Sequence, residues 1–308
     1  MASNTGTLPI NQPSRLKIWI QAMRFFSFTA SVVPIAIGCA LAIVDGEFSF
    51  WLALVMLLAG CATHAGCNLA NDYFDHVKGV DNVASIGPSR VIQQQLLEPY
   101  EVRRGMIIAF AIATVLGLIV VVETGWPILV VALLSLAAAV LYTGGPKPLG
   151  YMALGEVTVF VFMGLVMVMG AYYVLVGEVT WRSFLVAAPI GFLSAAILHA
   201  NDIRDIEPDR AAGKTTLAIL LGRAGANIEY LLLVVAAFVT VIVLLIVDID
   251  LWPVAIVGAS IPIAWRLVKL AFSDAEGRAL NPLLRKTAGL HLRFGALMLV
   301  GLLISAAM

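Results

Sequence analysis

The chain has 308 residues, 61% of them hydrophobic and only 12% charged, with a mean hydropathy of +0.98. A soluble domain carries roughly a quarter charged residues, so this composition excludes a soluble enzyme, a disordered chain and a secreted disulfide scaffold. Nineteen basic and nineteen acidic side chains cancel, which leaves no global field for nucleic acid. The chain reads as a multi-span membrane protein in contact with lipid. Cys39, Cys61 and Cys67 sit inside apolar stretches and read as small hydrophobes, not as a metal or disulfide set.

In chain order, residues 1–17 form a polar N-terminal tail, and 18–308 form a single transmembrane domain. A spanning helix needs about 20 mostly apolar residues. Such stretches fall at 18–44, 49–72, 104–122, 125–142, 153–177, 182–201, 226–247, 250–270 and 286–307. The expected fold is therefore all-α, a polytopic bundle of about nine transmembrane helices. With that count every Lys and Arg except Arg182 falls on one side of the membrane. The positive-inside rule makes that side cytoplasmic, with the N-terminus and the even-to-odd connections, and sends the C-terminus to the opposite face. Trp51, Trp126, Trp181 and Trp252 fall near the outer helix ends, where interfacial aromatic residues belong. The longest connections, about 73–103 and 202–225, are cytoplasmic, so functional surface is expected there.

Two helix ends on that side carry clustered acids. The second helix ends in CNLANDYFDHVKGVDN, with Asn68, Asn71, Asp72, Asp75, Lys78 and Asp81. The sixth ends in HANDIRDIEPDRAAGK, with Asn201, Asp202, Asp205, Asp209 and Lys214. Residues three and four apart share a helix face, so each cluster projects as a group. Several carboxylates on one face at the edge of hydrocarbon repel one another, and something cationic should offset them. Oxygen-only ligands favour a hard ion such as magnesium, which takes one or two carboxylates plus substrate phosphates. Lys78, Arg204, Arg210 and Lys214 fit as phosphate donors beside it. The blander reading, solvated charges capping two helices, does not explain why the same Asn-Asp pattern recurs at the same end of two spans. Two such ends facing each other suit departure of a diphosphate from an isoprenoid whose tail lies in the apolar bundle. The metal would act as Lewis acid and template.

At these residues the chain resembles the UbiA superfamily of intramembrane prenyltransferases, through an N-D-x-x-D motif after the second helix and a D-x-x-x-D motif, Asp205 to Asp209, after the sixth. The first motif departs from the commonest form: Gly79 stands at the usual third Asp position and the acid appears at Asp81. That arrangement, with the stretches GPSRVIQQQLLEP, YTGGPKPLGYMALGE and NDIRDIEPDRAAGKTTLAILLG, is similar to the branch acting on 1,4-dihydroxy-2-naphthoate in menaquinone synthesis. In the first helix Phe25 replaces the usual Pro after Arg24. The resemblance implies prenyl transfer from a polyprenyl diphosphate to an aromatic acceptor, aided by two Mg2+ ions. It implies Asp72, Asp75, Asp202 and Asp205 as catalytic residues. It places Asn71, Asp72, Asp75, Asp81, Asp202, Asp205 and Asp209 at the metal. Asn68, Asn71, Lys78, Arg90, Tyr142, Lys147, Asn201 and Lys214 are the implied substrate contacts. For the naphthoate acceptor it implies replacement of the ring carboxylate by the prenyl group, with release of carbon dioxide. Prenyl chain length, the acceptor's general base and oligomeric state stay open.

Other polar residues have plainer readings. His64 and His199 read as packed, hydrogen-bonded core histidines or as lining residues facing the cytoplasm, His76 as a loop residue and His291 as a packing residue. Glu156, one turn into the fifth helix, faces the bundle interior, where it either touches the site or caps its helix. Arg24, similarly placed on the first helix, either touches the site or snorkels to the interface. Alternative functions are prenylation of 4-hydroxybenzoate or homogentisate and, outside the class, a divalent-cation transporter lined by the same carboxylates. Transporter sites usually lie near the midplane at broken helices, which counts against the last.

Overall fold

The structure, a computed structural model, describes residues 13–79, 89 and 91–308. Among the described residues eight helices are long and apolar enough to cross a membrane, and Trp126–Leu141 adds a shorter apolar helix of 16 residues. Nine apolar helices thus match the expected number. The chain is an integral, multi-pass membrane protein. The elements are α1 (Arg15–Ala22), α2 (Thr29–Val44), α3 (Phe50–Val77), α4 (Pro99–Thr124), α5 (Trp126–Leu141), α6 (Gly155–Val176), α7 (Trp181–Arg204), α8 (Ile206–Ala211), α9 (Leu217–Val247), α10 (Ile249–Ala271) and α11 (Asn281–Ala306).

The first span differs from the expected continuous helix over 18–44. Residues 15–22 form the separate helix α1, and the chain breaks at Arg24, which adopts a left-handed conformation at φ 53° before a single 3-10 turn leads into α2. A non-glycine residue there is strained, and such strain persists only where surroundings over-determine it. Arg24 is held by an ion pair to Asp72 on α3, at 2.6 Å. The fourth helix begins at Pro99, earlier than the apolar pattern indicates, because Glu98 and Glu101 form a reciprocal capping box and Pro99 takes the first turn. The helix α9 begins at Leu217, capped by the Thr216 side chain, and bends at Gly222, where φ is 66°.

In α7, 78% of the apolar window is buried, against 11% in α4. The inner helix of the bundle is therefore α7, packed on α2, α6, α9 and α11, while α4 pairs with α3 and turns its other faces to lipid. Lipid is as apolar as leucine, so helices associate in it through close packing of small residues. A Cβ on Gly164 of α6 would stand 2.2 Å from the Gly191 Cα of α7, so only glycine permits that crossing. It lies within a π-helical stretch of α6, Phe160–Val166. Local widening of this kind is often found at functional sites. At one end of the bundle Arg182 lies between Asp45, at 2.7 Å, and Asp248, at 2.5 Å, and the Tyr172 hydroxyl donates to Asp45 at 2.6 Å. This network ties the ends of α2 and α9 to the start of α7 and explains why a lone arginine sits there.

Candidate active site

The other end of the bundle gathers the two acidic helix ends. A cavity of about 450 Å³ is lined by Asn68, Asn71 and Asp75 from α3, by Asn201 and Asp202 from α7, and by Asp205, Asp209 and Lys214 from the connection that follows. Tyr142, at the C-cap of α5, lines it as well. Beyond this polar end the walls are apolar, with Val159, Phe162, Met163, Met167 and Leu198. Its size falls within the usual range of small-molecule sites, about 300–1,000 Å³.

Lys214 is the bridge between the motifs. Its ammonium lies 3.6 Å from Asp75 and 3.2 Å from Asp209, and 4.9 Å from the centre of the Tyr151 ring. The Tyr151 hydroxyl donates to Asp75 at 2.5 Å. Backbone hydrogen bonds from Ala153 to the Thr215 carbonyl and from Thr215 to the Tyr151 carbonyl hold these two connections side by side. Asp205 accepts from the Arg204 guanidinium, which also donates to Asn201 at 2.8 Å and to Asn281 at 3.1 Å. Asn71 accepts from the Thr143 hydroxyl at 2.8 Å. Lys78 in turn donates to the Thr143 and Gly145 carbonyls at 2.6 and 3.1 Å, fixing the connection after α5.

Of the residues singled out from sequence, Asn68, Asn71, Asp75, Tyr142, Asn201, Asp202, Asp205, Asp209 and Lys214 share this cavity. Asp72 is not among its lining residues; it is 4% exposed and its carboxylate faces Arg24. Helical spacing alone put it with Asp75, but the break at Arg24 supplies a cation on its side of α3. Lys78 is committed to backbone carbonyls, Lys147 is exposed, and Arg210 is exposed and paired with Glu207 at 3.0 Å. Asp81 and Arg90 lie outside the described residues. Arg24, read from sequence as either touching the site or snorkelling, lines the cavity. His64 lines it too, held between the Ser27 and Ser31 hydroxyls at 2.9 and 2.8 Å. His199 and His291 are fully buried, as core histidines should be. Sequence reasoning did not single out Thr143 and Tyr151 as contacts to the motifs; they act across more than 70 residues of chain, with no local pattern to mark them.

The electrostatics follow from crowding of acids in a partly dry site. Burial pushes the Asp209 carboxyl up to about 6, against the pull of Lys214 and with a further push from Asp205. Burial, together with Asp202, Glu156, Asp75 and Asp209, pushes the Tyr142 phenol well above its ordinary value. Partial burial lowers the Lys78 ammonium, with Asp75 opposing. The residues of the two acidic motifs that line the cavity offer carboxylate and amide oxygens, the set that a hard divalent cation takes. A carboxyl that titrates near 6 holds its proton below that pH and is an anionic ligand above it. Divalent-cation uptake in the presence of a diphosphate should therefore fall about tenfold per pH unit below 6, and Asp209→Asn should weaken uptake while flattening that limb. Titration calorimetry between pH 5 and 8 checks this.

Residues 31–286 match the model of the UbiA prenyltransferase family. The chain is 35% identical over 285 residues to a protein of Mycobacterium leprae named 1,4-dihydroxy-2-naphthoate octaprenyltransferase, covering 92% of this chain and 95% of that one. It is 31% identical to a protein of the same name from Escherichia coli strain K12, covering 96% and 97%. The fold superposes on the solved structure of a UbiA homolog from Archaeoglobus fulgidus bound to GPP and Mg2+, with a TM-score of 0.65, 15% identity, and coverage of 94% of this chain and 100% of that one. Family match, full-length relatives and shared fold agree with the convergence of two Asn-Asp helix ends on one cavity: the chain is a prenyltransferase and belongs to the UbiA family.

Proposed function

We propose that the chain transfers a polyprenyl group from its diphosphate to 1,4-dihydroxy-2-naphthoate, with magnesium, releasing carbon dioxide and diphosphate and giving the hydroquinone form of a demethylmenaquinone, a demethylmenaquinol. The observation that carries this reading is the meeting of Asp75 with Asp205 and Asp209 around a single cavity that is polar at one end and apolar beyond, with Lys214 reaching both motifs. The names of the Mycobacterium leprae and Escherichia coli relatives favour the naphthoate over other acceptors.

Asn71 and Asp75 on one side, and Asp202, Asp205 and Asp209 on the other, would hold two Mg2+ ions. Magnesium supplies charge neutralisation of the diphosphate and of the leaving group. Lys214 is the diphosphate donor best placed between the motifs. Asn68 and Asn201 are polar contacts in the same wall, and Tyr142 closes the cavity at the end of α5. Lys78 acts on the site through Thr143, which orients Asn71. Lys147 has no such link and serves at most the exposed edge of the connection. Asp72 is reassigned from the metal to holding Arg24 at the cavity wall. Asp81 and Arg90 enter this reading from the sequence motif alone. The apolar walls around Phe162 and Met163 take the isoprenoid, and the distribution of basic residues turns the motif-bearing end to the cytoplasm.

Acceptor identity has a direct chemical test. With carboxyl-labelled dihydroxynaphthoate and a polyprenyl diphosphate, the purified protein should release one labelled carbon dioxide for each prenyl group transferred. A prenylated product that keeps the label would overturn the decarboxylating reading while leaving the family chemistry in place.

A further inference from the structure

Behind the cavity wall three side chains able to bind a metal come from three helices and meet inside the bundle. Glu156 on α6 is 4% exposed, and His199 on α7 is fully buried. Glu156 Oε1 lies 2.8 Å from His199 Nδ1, and His199 Nε2 lies 2.8 Å from the Ala226 carbonyl oxygen and 3.6 Å from a Glu229 oxygen on α9. One ring nitrogen and one oxygen from each carboxylate lie within 4.8 Å of one another. The Glu156 Oε2 and Glu229 Oε2 atoms are buried without a hydrogen-bond partner. None of the three side chains lines the cavity.

The hydrogen bonds fix which ring nitrogen faces the acids. A carbonyl oxygen only accepts, so His199 Nε2 carries the hydrogen and donates to Ala226. Nδ1 is left with its lone pair turned towards Glu156. An imidazole bound to a metal through one nitrogen almost always donates its other N–H to a carbonyl or carboxylate, which holds the tautomer and the ring. The bond to Ala226 supplies that support. Two donors each about 2.0–2.2 Å from one zinc ion stand about 3.4 Å apart in a tetrahedral shell, so the three close on an ion with about 1.5 Å of side-chain movement or less.

Charge points the same way. Without a metal, one proton must sit between Nδ1 and Glu156, since two lone pairs at 2.8 Å would repel. That proton makes the pair neutral and leaves the group one negative charge in excess, on Glu229. Buried charges are paired or coordinate metals. A dication bound to Nδ1 and both carboxylates displaces the proton to solvent and brings the group to zero net charge. It also gives the two orphaned Oε2 atoms a partner, since either carboxylate can turn its second oxygen to the ion. One imidazole and two carboxylates differ from the oxygen-only donors of the two acidic motifs. Imidazole suits zinc and its first-row neighbours, whereas magnesium takes carboxylate, carbonyl and water.

We propose that Glu156, His199 and Glu229 hold a structural Zn2+ ion that ties α6, α7 and α9 together, separate from the magnesium of the reaction. Glu229, its side chain 17% exposed, marks the side from which the ion enters. The ion braces the cavity from behind. His199 precedes the cavity-lining Asp202 by one turn of α7. Glu156 lies just before the π-helical stretch Phe160–Val166, whose Phe162 and Met163 line the cavity. The zinc touches no reacting group; it holds the helices that carry them.

The test is metal analysis of the full chain, purified in detergent without a polyhistidine tag. About one zinc per chain is expected, kept through dialysis in metal-free buffer with neither magnesium nor diphosphate present. Removal by a chelator should lower the melting temperature by roughly 10 °C, and added zinc, but not magnesium, should restore it. Glu156→Gln and His199→Gln should lose the ion, and Glu229→Gln should bind it roughly tenfold more weakly or worse. Asp75→Asn, in the other site, should keep it. X-ray absorption at the zinc edge of the wild-type protein reads the ligands without any variant, and should show one imidazole with carboxylate oxygens. Wild-type protein that holds no zinc, and whose melting temperature does not respond to added zinc, would overturn the proposal. So would zinc retained in both Glu156→Gln and His199→Gln, zinc lost in Asp75→Asn, or a zinc shell of sulfur or of oxygen alone. None of these readouts depends on turnover or on the identity of the acceptor.

Discussion

Asp75→Asn is expected to lower kcat/KM by about 10³-fold while leaving the fold intact. Asp75 lines the cavity, accepts from Tyr151 and faces Lys214. An asparagine is nearly isosteric and its carbonyl still accepts from Tyr151, so the connection after α5 keeps its anchor. What disappears is one negative charge from the wall that, on the proposed reading, would hold a cation against the diphosphate. Metal stabilisation of a leaving group is worth several kcal/mol, and each 1.36 kcal/mol is a factor of ten in rate. Losing about 4 kcal/mol gives the stated factor. Steady-state prenyl transfer, with circular dichroism and a melting curve on the same sample, checks both halves. A variant that folds and turns over within tenfold of the parent would remove Asp75 from the metal site.

Arg24→Met is expected to act mainly on stability. Arg24 and Asp72 pair at 2.6 Å, with side chains 21% and 5% exposed. Removing one member of a buried pair costs about 3–5 kcal/mol, because the remaining charge is left uncompensated. Arg24 also holds the left-handed bend between α1 and α2, and the bend should loosen with it. The double variant Arg24→Met/Asp72→Asn should recover most of the loss, since the orphaned charge is gone. Thermal melting of the four proteins in one detergent gives the coupling directly. If Arg24→Met and the double variant melt together, the ion pair is not what fixes the bend. Asp72→Asn alone should spare diphosphate binding, whereas Asp75→Asn should not, which separates two acids three residues apart.

The number of spans and the acidic helix ends were legible because both are local patterns: apolar runs of spanning length, and Asn-Asp pairs where such runs stop. What the sequence hid is long-range. The segment AMRFFSFTASVV reads as continuous apolar helix, and nothing in it shows that Arg24 turns to meet an acid 48 residues away. Three-four spacing put Asp72 beside Asp75, yet a single cation on one flank of α3 divides them between a structural pair and the cavity. Lys78 looked like a phosphate donor because it follows the motif, but it reaches the carbonyls of another connection 65 and 67 residues on. Glu98 and Glu101 do carry a local signal, an acid three residues after another around a proline, and it places the start of α4 better than hydropathy does. Glu156, His199 and Glu229 come from three helices, each apolar around its polar residue, so their meeting can be read only from the packed bundle.

That two acidic helix ends act as one diphosphate-ionising site is the central proposal. Its most direct test is prenyl transfer by the purified protein in nanodiscs, with magnesium and a polyprenyl diphosphate. Dihydroxynaphthoate and 4-hydroxybenzoate are offered in parallel, and Asp75→Asn and Asp205→Asn are the controls. Magnesium-dependent prenylation of the naphthoate is expected, with either substitution alone abolishing it, because neither motif suffices without the other. Full activity in one of the two variants, or divalent-cation flux across vesicles with no diphosphate consumed under any condition, would contradict it.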